Sequence, residues 1–241
     1  MTCMVSSSFR RSRDSPWTVH FCGAHAAVES FESRARIKMA KRGSGFFPTL
    51  SIQHLIDILR DQLDHAPNLN QKRLVMMEEN AFKILKTIGV TTKKAYDAAP
   101  PGSGFVKNVE GVPHYRIYDY RVIYMKSNYW HEAKSSMLSM GEVQCMDRWF
   151  VYDDSFKDAK GRNLSCPIRS CQAIDRDLPD RPNPCPTSLR FGAQGRTGLF
   201  DYQDNWGPEY HNGGRGIMES ANIIGVIVPD VTTTGIAFED R

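Results

Sequence analysis

Two carboxylates and one ammonium group fall in neighbouring segments that have the composition of β-strands. Asp119 lies in a segment rich in Tyr, Ile and Val, and Glu132 and Lys134 follow in a second segment, beyond a Lys-Ser-Asn turn. Side chains two residues apart on a strand share a face, so Glu132 and Lys134 are predicted to point the same way. If the two strands pair as a hairpin, Asp119 reaches that side too. The spacing predicts that all three groups converge at one sheet edge.

Such a cluster has the ligand types of a Mg²⁺ site. Mg²⁺ prefers carboxylate oxygens and keeps waters that substrate phosphates can replace. The metal lowers the pKa of a bound water and stabilises charge on the attacked phosphate, and a nearby lysine can orient that water. With Asp119 and Glu132 as metal ligands and Lys134 positioning the water, the cluster predicts hydrolysis of phosphodiester bonds.

The pattern Asp119…Glu132-x-Lys134 on consecutive predicted strands resembles the PD-(D/E)xK nuclease superfamily. That resemblance implies an α/β or α+β fold with a restriction-endonuclease-like core, in which helices flank a mixed central sheet. It also implies an acidic residue on an upstream helix that assists the metal. Glu79 is the better match for that position and Glu78 the weaker one.

The resemblance predicts a Mg²⁺-dependent endonuclease that acts on DNA, either a type II restriction enzyme or a nuclease toxin. Its catalytic residues would be Asp119, Glu132, Lys134 and Glu79, and a homodimer is expected because many enzymes that cut both strands are dimers. The residues alone leave a simpler interpretation open, in which these are surface charges. They also leave open a non-enzymatic nucleic-acid-binding or viral structural protein with a basic arm that neutralises phosphates.

Composition excludes two broad classes of protein. The chain has 241 residues, of which 41% are hydrophobic and 24% charged, as is usual for globular domains and unlike disordered chains. No apolar run approaches the roughly 18 residues that a membrane-spanning helix needs. A cytoplasmic protein without a membrane partner is expected.

The positive charge is concentrated at the N-terminus, because residues 1–50 hold eight basic and three acidic residues. Residues 1–48 are predicted to form a basic, flexible N-terminal arm, and residues 49–241 a single domain. Three interpretations of the arm stay open: a phosphate-binding arm, an organelle transit peptide within residues 1–38, or a segment without function. In the third case it would be a disordered leader or translated sequence upstream of a true start at Met39.

Local signals predict helices over residues 49–100. Ser51 is a candidate cap for a first helix, whose apolar residues cluster on one side. A second helix is predicted from Asn70 to a stop at Gly89, and a short helix or turn at residues 91–98.

The remainder is predicted to be richer in strands and loops. Residues 105–155 would carry the catalytic hairpin and a following helix over residues 135–149. Residues 160–241 are predicted to be a loop-rich part that contacts substrate. Within it, the apolar run IIGVIV at residues 223–228 predicts a buried strand.

The cysteines admit two further interpretations. Cys166, Cys171 and Cys185, with His211, are candidate zinc ligands, and free thiols in a proline-rich loop are the alternative. Cys145, His211 and Asp230 are the residue types of a cysteine-hydrolase catalytic triad, which is a further candidate site. However, the predicted helix around Cys145 favours a packed thiol there.

Overall fold

The computed structural model describes residues 22–43, 46–75, 78–124, 135–136, 144–147, 188–190, 199–203, 215–219 and 223–231. The helices are α1 (Cys22–Lys41), α2 (Ile52–His65), α3 (Leu69–Val75), α4 (Glu78–Thr87) and α5 (Lys93–Ala98). The strands are β1 (Asp119–Tyr124), β2 (Gln144–Asp147), β3 (Ser188–Arg190), β4 (Leu199–Gln203), β5 (Arg215–Glu219) and β6 (Ile223–Asp230). This mixture of helix and strand confirms the predicted α+β class. In the ranges above, none of the helices combines the length and apolar content that crossing a membrane demands.

Helices α2 and α5 begin where side-chain caps satisfy their first N–H groups. The hydroxyl oxygen of Ser51 accepts a hydrogen bond from the backbone N–H of His54 at 3.1 Å. Thr92 does the same for the N–H of Ala95 at 3.2 Å. The predicted helices at these positions are confirmed. The buried apolar residues of α2 are Leu55, Ile56, Ile58 and Leu59.

The helix predicted between Asn70 and Gly89 is observed as α3 and α4, with residues 76–77 between them outside the described residues. Gly89 follows α4 with a φ of 77° and donates its N–H to the carbonyl of Ile84 at 2.9 Å. A Cβ here would lie 2.6 Å from the carbonyl oxygen of Tyr115. The stop predicted at Gly89 is confirmed, because a side chain would meet both an unfavourable φ and a backbone clash.

Strand β6 is the centre of a three-stranded antiparallel sheet of order β1-β6-β2. Its middle residues are buried, which confirms the apolar strand predicted at residues 223–228. β1 pairs with β6 so that Asp119 lies opposite Asp230. A second antiparallel sheet has the order β3-β4-β5.

The helix predicted over residues 135–149 is wrong at residues 144–147, which form strand β2. Cys145 lies opposite Val226 in the ladder with β6. The backbone of this segment is therefore hydrogen-bonded to a strand much later in the chain, and such pairing overrides a local helical pattern. The helical position expected for Cys145 is thereby corrected.

Residues 22–41, which were predicted to belong to a flexible arm, form helix α1, and its buried side chains between residues 24 and 35 lie in the core. Apolar side chains recur along α1 at helical spacing. One cluster with side chains of α2 and α4 contains five buried residues of α1: Ala24, Ala27, Val28, Phe31 and Ala35. The helix runs through Met39, so a chain that began there would lack most of α1.

Candidate functional site

Asp119, the first of the predicted metal ligands, begins β1 with a half-exposed side chain. Lys86 of α4 donates a hydrogen bond to its Oδ1 at 2.8 Å, and the backbone N–H of Tyr120 donates to the same oxygen at 2.9 Å. These bonds, that of Lys86 above all, hold the pKa of Asp119 below its ordinary value. The carboxylate is therefore ionised and held by two protein donors.

Glu79, the predicted assisting carboxylate, lies in the first turn of α4. Its Oε1 accepts a hydrogen bond from the hydroxyl of Tyr120 at 3.1 Å. Burial, followed by this bond, raises the pKa of Tyr120 to about 12. The structure thus places Asp119 at the backbone end of Tyr120 and Glu79 at its hydroxyl end, where the tyrosine joins β1 to α4.

Glu132 and Lys134 lie outside the described residues, so their predicted roles stay untested. The same is true of the candidate zinc ligands Cys166, Cys171, Cys185 and His211. Within the part of the chain that the structure covers, no three His, Cys, Asp or Glu side chains come close enough together to hold a metal ion.

Lys86→Met is expected to raise the pKa of Asp119 toward its ordinary value, because the variant removes the principal donor to Oδ1. Lys83→Met, on an exposed position of the same helix, should leave that pKa unchanged. Titration of the carboxyl carbons followed by NMR measures both values. Equal pKa values of Asp119 in the two variants would contradict the bond as its cause.

Helix α1 is held in the core by polar contacts as well as by apolar packing. Glu32 is only 8% exposed, and its carboxylate accepts hydrogen bonds from the backbone N–H of Leu50 at 2.6 Å and from Arg36 at 2.5 Å. Burial raises the pKa of Glu32, while both partners oppose the shift. The contact joins α1 to the segment that precedes α2.

Arg34 connects α1 to the sheet. Its guanidinium is buried and donates hydrogen bonds to the carbonyl of Pro229 at 3.3 Å and to the hydroxyl of Ser136 at 3.0 Å. Burial lowers the pKa of Arg34 to about 10, and the carboxylate of Asp230 opposes that shift. The side chain therefore remains a cation at neutral pH.

Lys38, one turn after Arg34, donates a hydrogen bond to the carbonyl of Val231. The intervening carbonyl of Asp230 accepts from the backbone N–H of Tyr118 at 2.9 Å. Three successive carbonyls at the end of β6 therefore accept hydrogen bonds: those of Pro229 and Val231 from α1, and that of Asp230 from the residue before β1. These contacts fix the axis of α1 relative to the sheet.

The other end of α1 holds a cysteine and a histidine. Cys22 is its first residue. His25 follows three residues later, and burial lowers its pKa. A neutral imidazole that can accept a proton is therefore present within the same helical turn.

No family model matches the sequence, and no curated protein is similar to it. Solved structures do resemble the fold. A structure from work on the mite allergens Blo t 1 and Der p 1 matches with a TM-score of 0.53 and 17% identity, over 87% of this chain and 64% of that chain. The bromelain protease of Ananas comosus, in complex with the inhibitor E64, matches with a TM-score of 0.53 and 17% identity, over 90% of this chain and 92% of that chain. The chain thus spans less than two thirds of the length of the mite protein.

These neighbours are papain-like cysteine proteases, and they overturn the nuclease prediction. The PD-(D/E)xK resemblance, the restriction-endonuclease-like core, the DNA endonuclease activity and the Mg²⁺ cofactor are wrong. The nucleic-acid-binding or viral structural alternative is not supported better. The physical reason is that three charged residues at suitable spacing recur by chance, whereas the fold match extends over most of the chain.

Sequence reasoning missed Cys22, although a partial signal exists. Papain-type enzymes carry the local signature Cys-Gly-Ser/Ala-Cys-Trp/Tyr. Cys22, Gly23 and Ala24 match its first three positions. His25 replaces the second cysteine, which is the nucleophile of those enzymes, and Ala26 replaces the aromatic residue. This partial match lies at the start of α1. The chain has a papain-like fold.

Proposed function

We propose that this chain is a cysteine protease, with Cys22 as its nucleophile and peptide bonds of polypeptides as its substrates. One observation carries the proposal: in a fold shared with cysteine proteases, a cysteine is the first residue of the core helix α1, three positions before the place of the papain nucleophile, which is His25 in this chain. The thiolate is the reactive form of a cysteine nucleophile.

The reaction would proceed through an acyl-enzyme. The sulfur of Cys22 attacks the carbonyl carbon of the peptide bond while His25 accepts the thiol proton. The carbon–nitrogen bond then breaks, the amine leaves with that proton, and water hydrolyses the thioester. His25 suits this role because burial lowers its pKa, which keeps the imidazole neutral.

Cys22→Ser is expected to abolish both covalent labelling and peptide hydrolysis, the latter by roughly 10³-fold or more, since the nucleophile is lost. E64, the inhibitor bound in the bromelain structure, serves as the probe, and intact mass spectrometry counts the adducts. Cys145→Ser is the matched control, because Cys145 lies on strand β2. It should be labelled like the wild type. Labelling that persists in Cys22→Ser would contradict the assignment.

The departure from the papain signature favours a second function, binding of extended polypeptides without cleavage. Papain-type enzymes have their catalytic histidine roughly 130–150 residues after the cysteine. This sequence has no histidine between His131 and His211. Fluorescence anisotropy with a labelled peptide library, followed by mass spectrometry of the same samples, separates the two functions. Binding without new peptide termini or an E64 adduct would replace the protease by a binding protein, and the absence of both would contradict both functions.

A further inference from the structure

The rings of His54 and His114 lie close together, away from the N-terminus of α1. His54 of α2 is 1% exposed, and its ring stacks on that of Tyr96 with centroids 4.6 Å apart. The ring of His114 lies 5.3 Å from that of His54, tilted by 42°. Neither imidazole belongs to the proposed catalytic chemistry.

The hydrogen bonding of His54 requires the neutral form of its ring. Its Nδ1 accepts a hydrogen bond from the backbone N–H of Thr91 at 3.2 Å, so its single proton is on Nε2. A second proton would place an N–H donor directly against the N–H of Thr91. Protonation of His54 therefore breaks this bond.

The surroundings of His114 do not favour a positive charge on its ring either. Its Nε2 is buried and has no hydrogen-bond partner among the described residues. A protonated ring must donate from both nitrogens, so the charged form would hold a buried donor without an acceptor. The guanidinium of Arg116 adds repulsion.

The charged and titratable groups packed around the pair do not offset a new positive charge. Asp57, the carboxylate on the same helix, already accepts hydrogen bonds from the hydroxyl of Tyr96 at 2.8 Å and from Gln53 at 2.7 Å, and it pairs with Arg60 at 3.6 Å. The ammonium of Lys107 lies 5.4 Å from the centre of the Tyr96 ring. Lys107 and Arg60 are themselves cations, and the carboxylate of Asp57 already accepts hydrogen bonds from Tyr96 and Gln53.

The pair lies where three segments of the chain join. The carbonyl of Thr91 accepts a hydrogen bond from the N–H of Ser51 at 2.9 Å, and Leu50 bridges to Thr92. Val90 bridges to Tyr115, next to His114. The segments before α2, α5 and β1 are therefore joined around the two rings.

We propose that His54 and His114 form an acid-sensitive lock, which joins these three segments while both rings are neutral and releases them when the rings are protonated. Because the N–H of Leu50 also binds Glu32 of α1, release loosens the contact between α1 and the segment before α2. The lock makes the stability of the helical part depend on acidity.

The direction of the pH dependence follows from both histidines. Burial, followed by the charge of His114, lowers the pKa of His54 from 6.5 to about 4, and burial followed by Arg116 lowers that of His114 from 6.5. A histidine whose folded pKa is depressed stabilises the fold above its unfolded pKa, and this stability is lost as the pH falls through that value. The lock is therefore closed above pH 6.5 and weakens as the pH falls toward 4.

The test is the pH dependence of urea unfolding for the full chain and for the double variant His54→Asn/His114→Asn. Asparagine can present an oxygen where Nδ1 of His54 stands, but it does not titrate. Uptake of two protons raises the unfolding equilibrium constant up to about 100-fold per pH unit. The wild type should show this extra slope of the unfolding free energy against pH below pH 6.5, and the double variant should lack it.

His65→Asn is the control, because His65 is on the exposed end of α2 and Asp61 raises its pKa. This variant should keep the extra slope of the wild type.

Hydrogen exchange at acidic pH, corrected for intrinsic rates, should increase at the amides of Ser51, Thr91 and Tyr115 before that of Gly89. Equal slopes in wild type and double variant, or uniform exchange at all four amides, would overturn the lock. If the double variant does not fold, the pKa of His54 is measured by NMR titration of the folded wild type instead. A pKa at or above 6.5 would overturn the lock.

Discussion

Phe31→Ala is expected to lower the free energy of unfolding by about 3–5 kcal/mol. Phe31 is fully buried in α1, and its ring meets that of Phe47 edge to face with centroids 5.7 Å apart. Removing the ring loses its burial from water and leaves a cavity in the cluster that α1 shares with α2 and α4. Close-packed neighbours fill such a cavity only in part.

Phe46→Ala is the matched control for this loss, because Phe46 precedes Phe47 in the chain but is 78% exposed. Urea unfolding followed by circular dichroism should show a change within about 0.5 kcal/mol for the control. Similar losses in the two variants would contradict the position of α1 in the core, which is also the basis for placing Cys22 in the fold.

Arg34→Met is expected to lower the free energy of unfolding by about 2–4 kcal/mol, since buried acceptors left without donors cost about 1–3 kcal/mol each. The variant removes the donors to the carbonyl of Pro229 and to the hydroxyl of Ser136. Methionine retains part of the apolar contact of the arginine stem, so the measured loss reports mainly on the hydrogen bonds. The main consequence would be a looser attachment of α1 to the end of β6.

Two variants make the Arg34 result specific. Arg42→Met removes an exposed guanidinium just after α1 and should change the free energy of unfolding by less than about 0.5 kcal/mol. Arg34→Lys keeps the charge but has no planar fork of donors, so it should recover part of the loss. If Arg34→Met were as stable as Arg42→Met, the contact between α1 and β6 would contribute nothing to stability.

The elements that the sequence predicts well are those whose signals are local. Ser51 is a cap with its helix directly behind it, Gly89 stops α4 through its own φ, and the apolar run in β6 needs only burial. Each signal involves residues within a few positions of one another, so no knowledge of the rest of the chain is required. The helical prediction for residues 144–147 failed because their backbone partners are in β6.

The candidate site was beyond such reasoning for a different physical reason. Asp119, Glu132 and Lys134 have side chains that suit a metal site, but they suit a solvated surface equally well. For Asp119 the structure shows an ion pair with Lys86. Cys22, the nucleophile that we propose, is one of six cysteines in the sequence. Its importance depends on α1 and on the fold around it, neither of which a single residue type reveals.

What the sequence determined by itself is the α+β class, several helix ends and the most buried strand. What only the tertiary structure decided is that the supposed arm contains the core helix α1. Polar residues of α1 are stable in the core because partners reach them from afar: Leu50 is 18 residues from Glu32, and Pro229 is 195 residues from Arg34. Burial of polar groups depends on such distant partners. For that reason the fold, and with it the position of Cys22, follows from the packing of the whole chain.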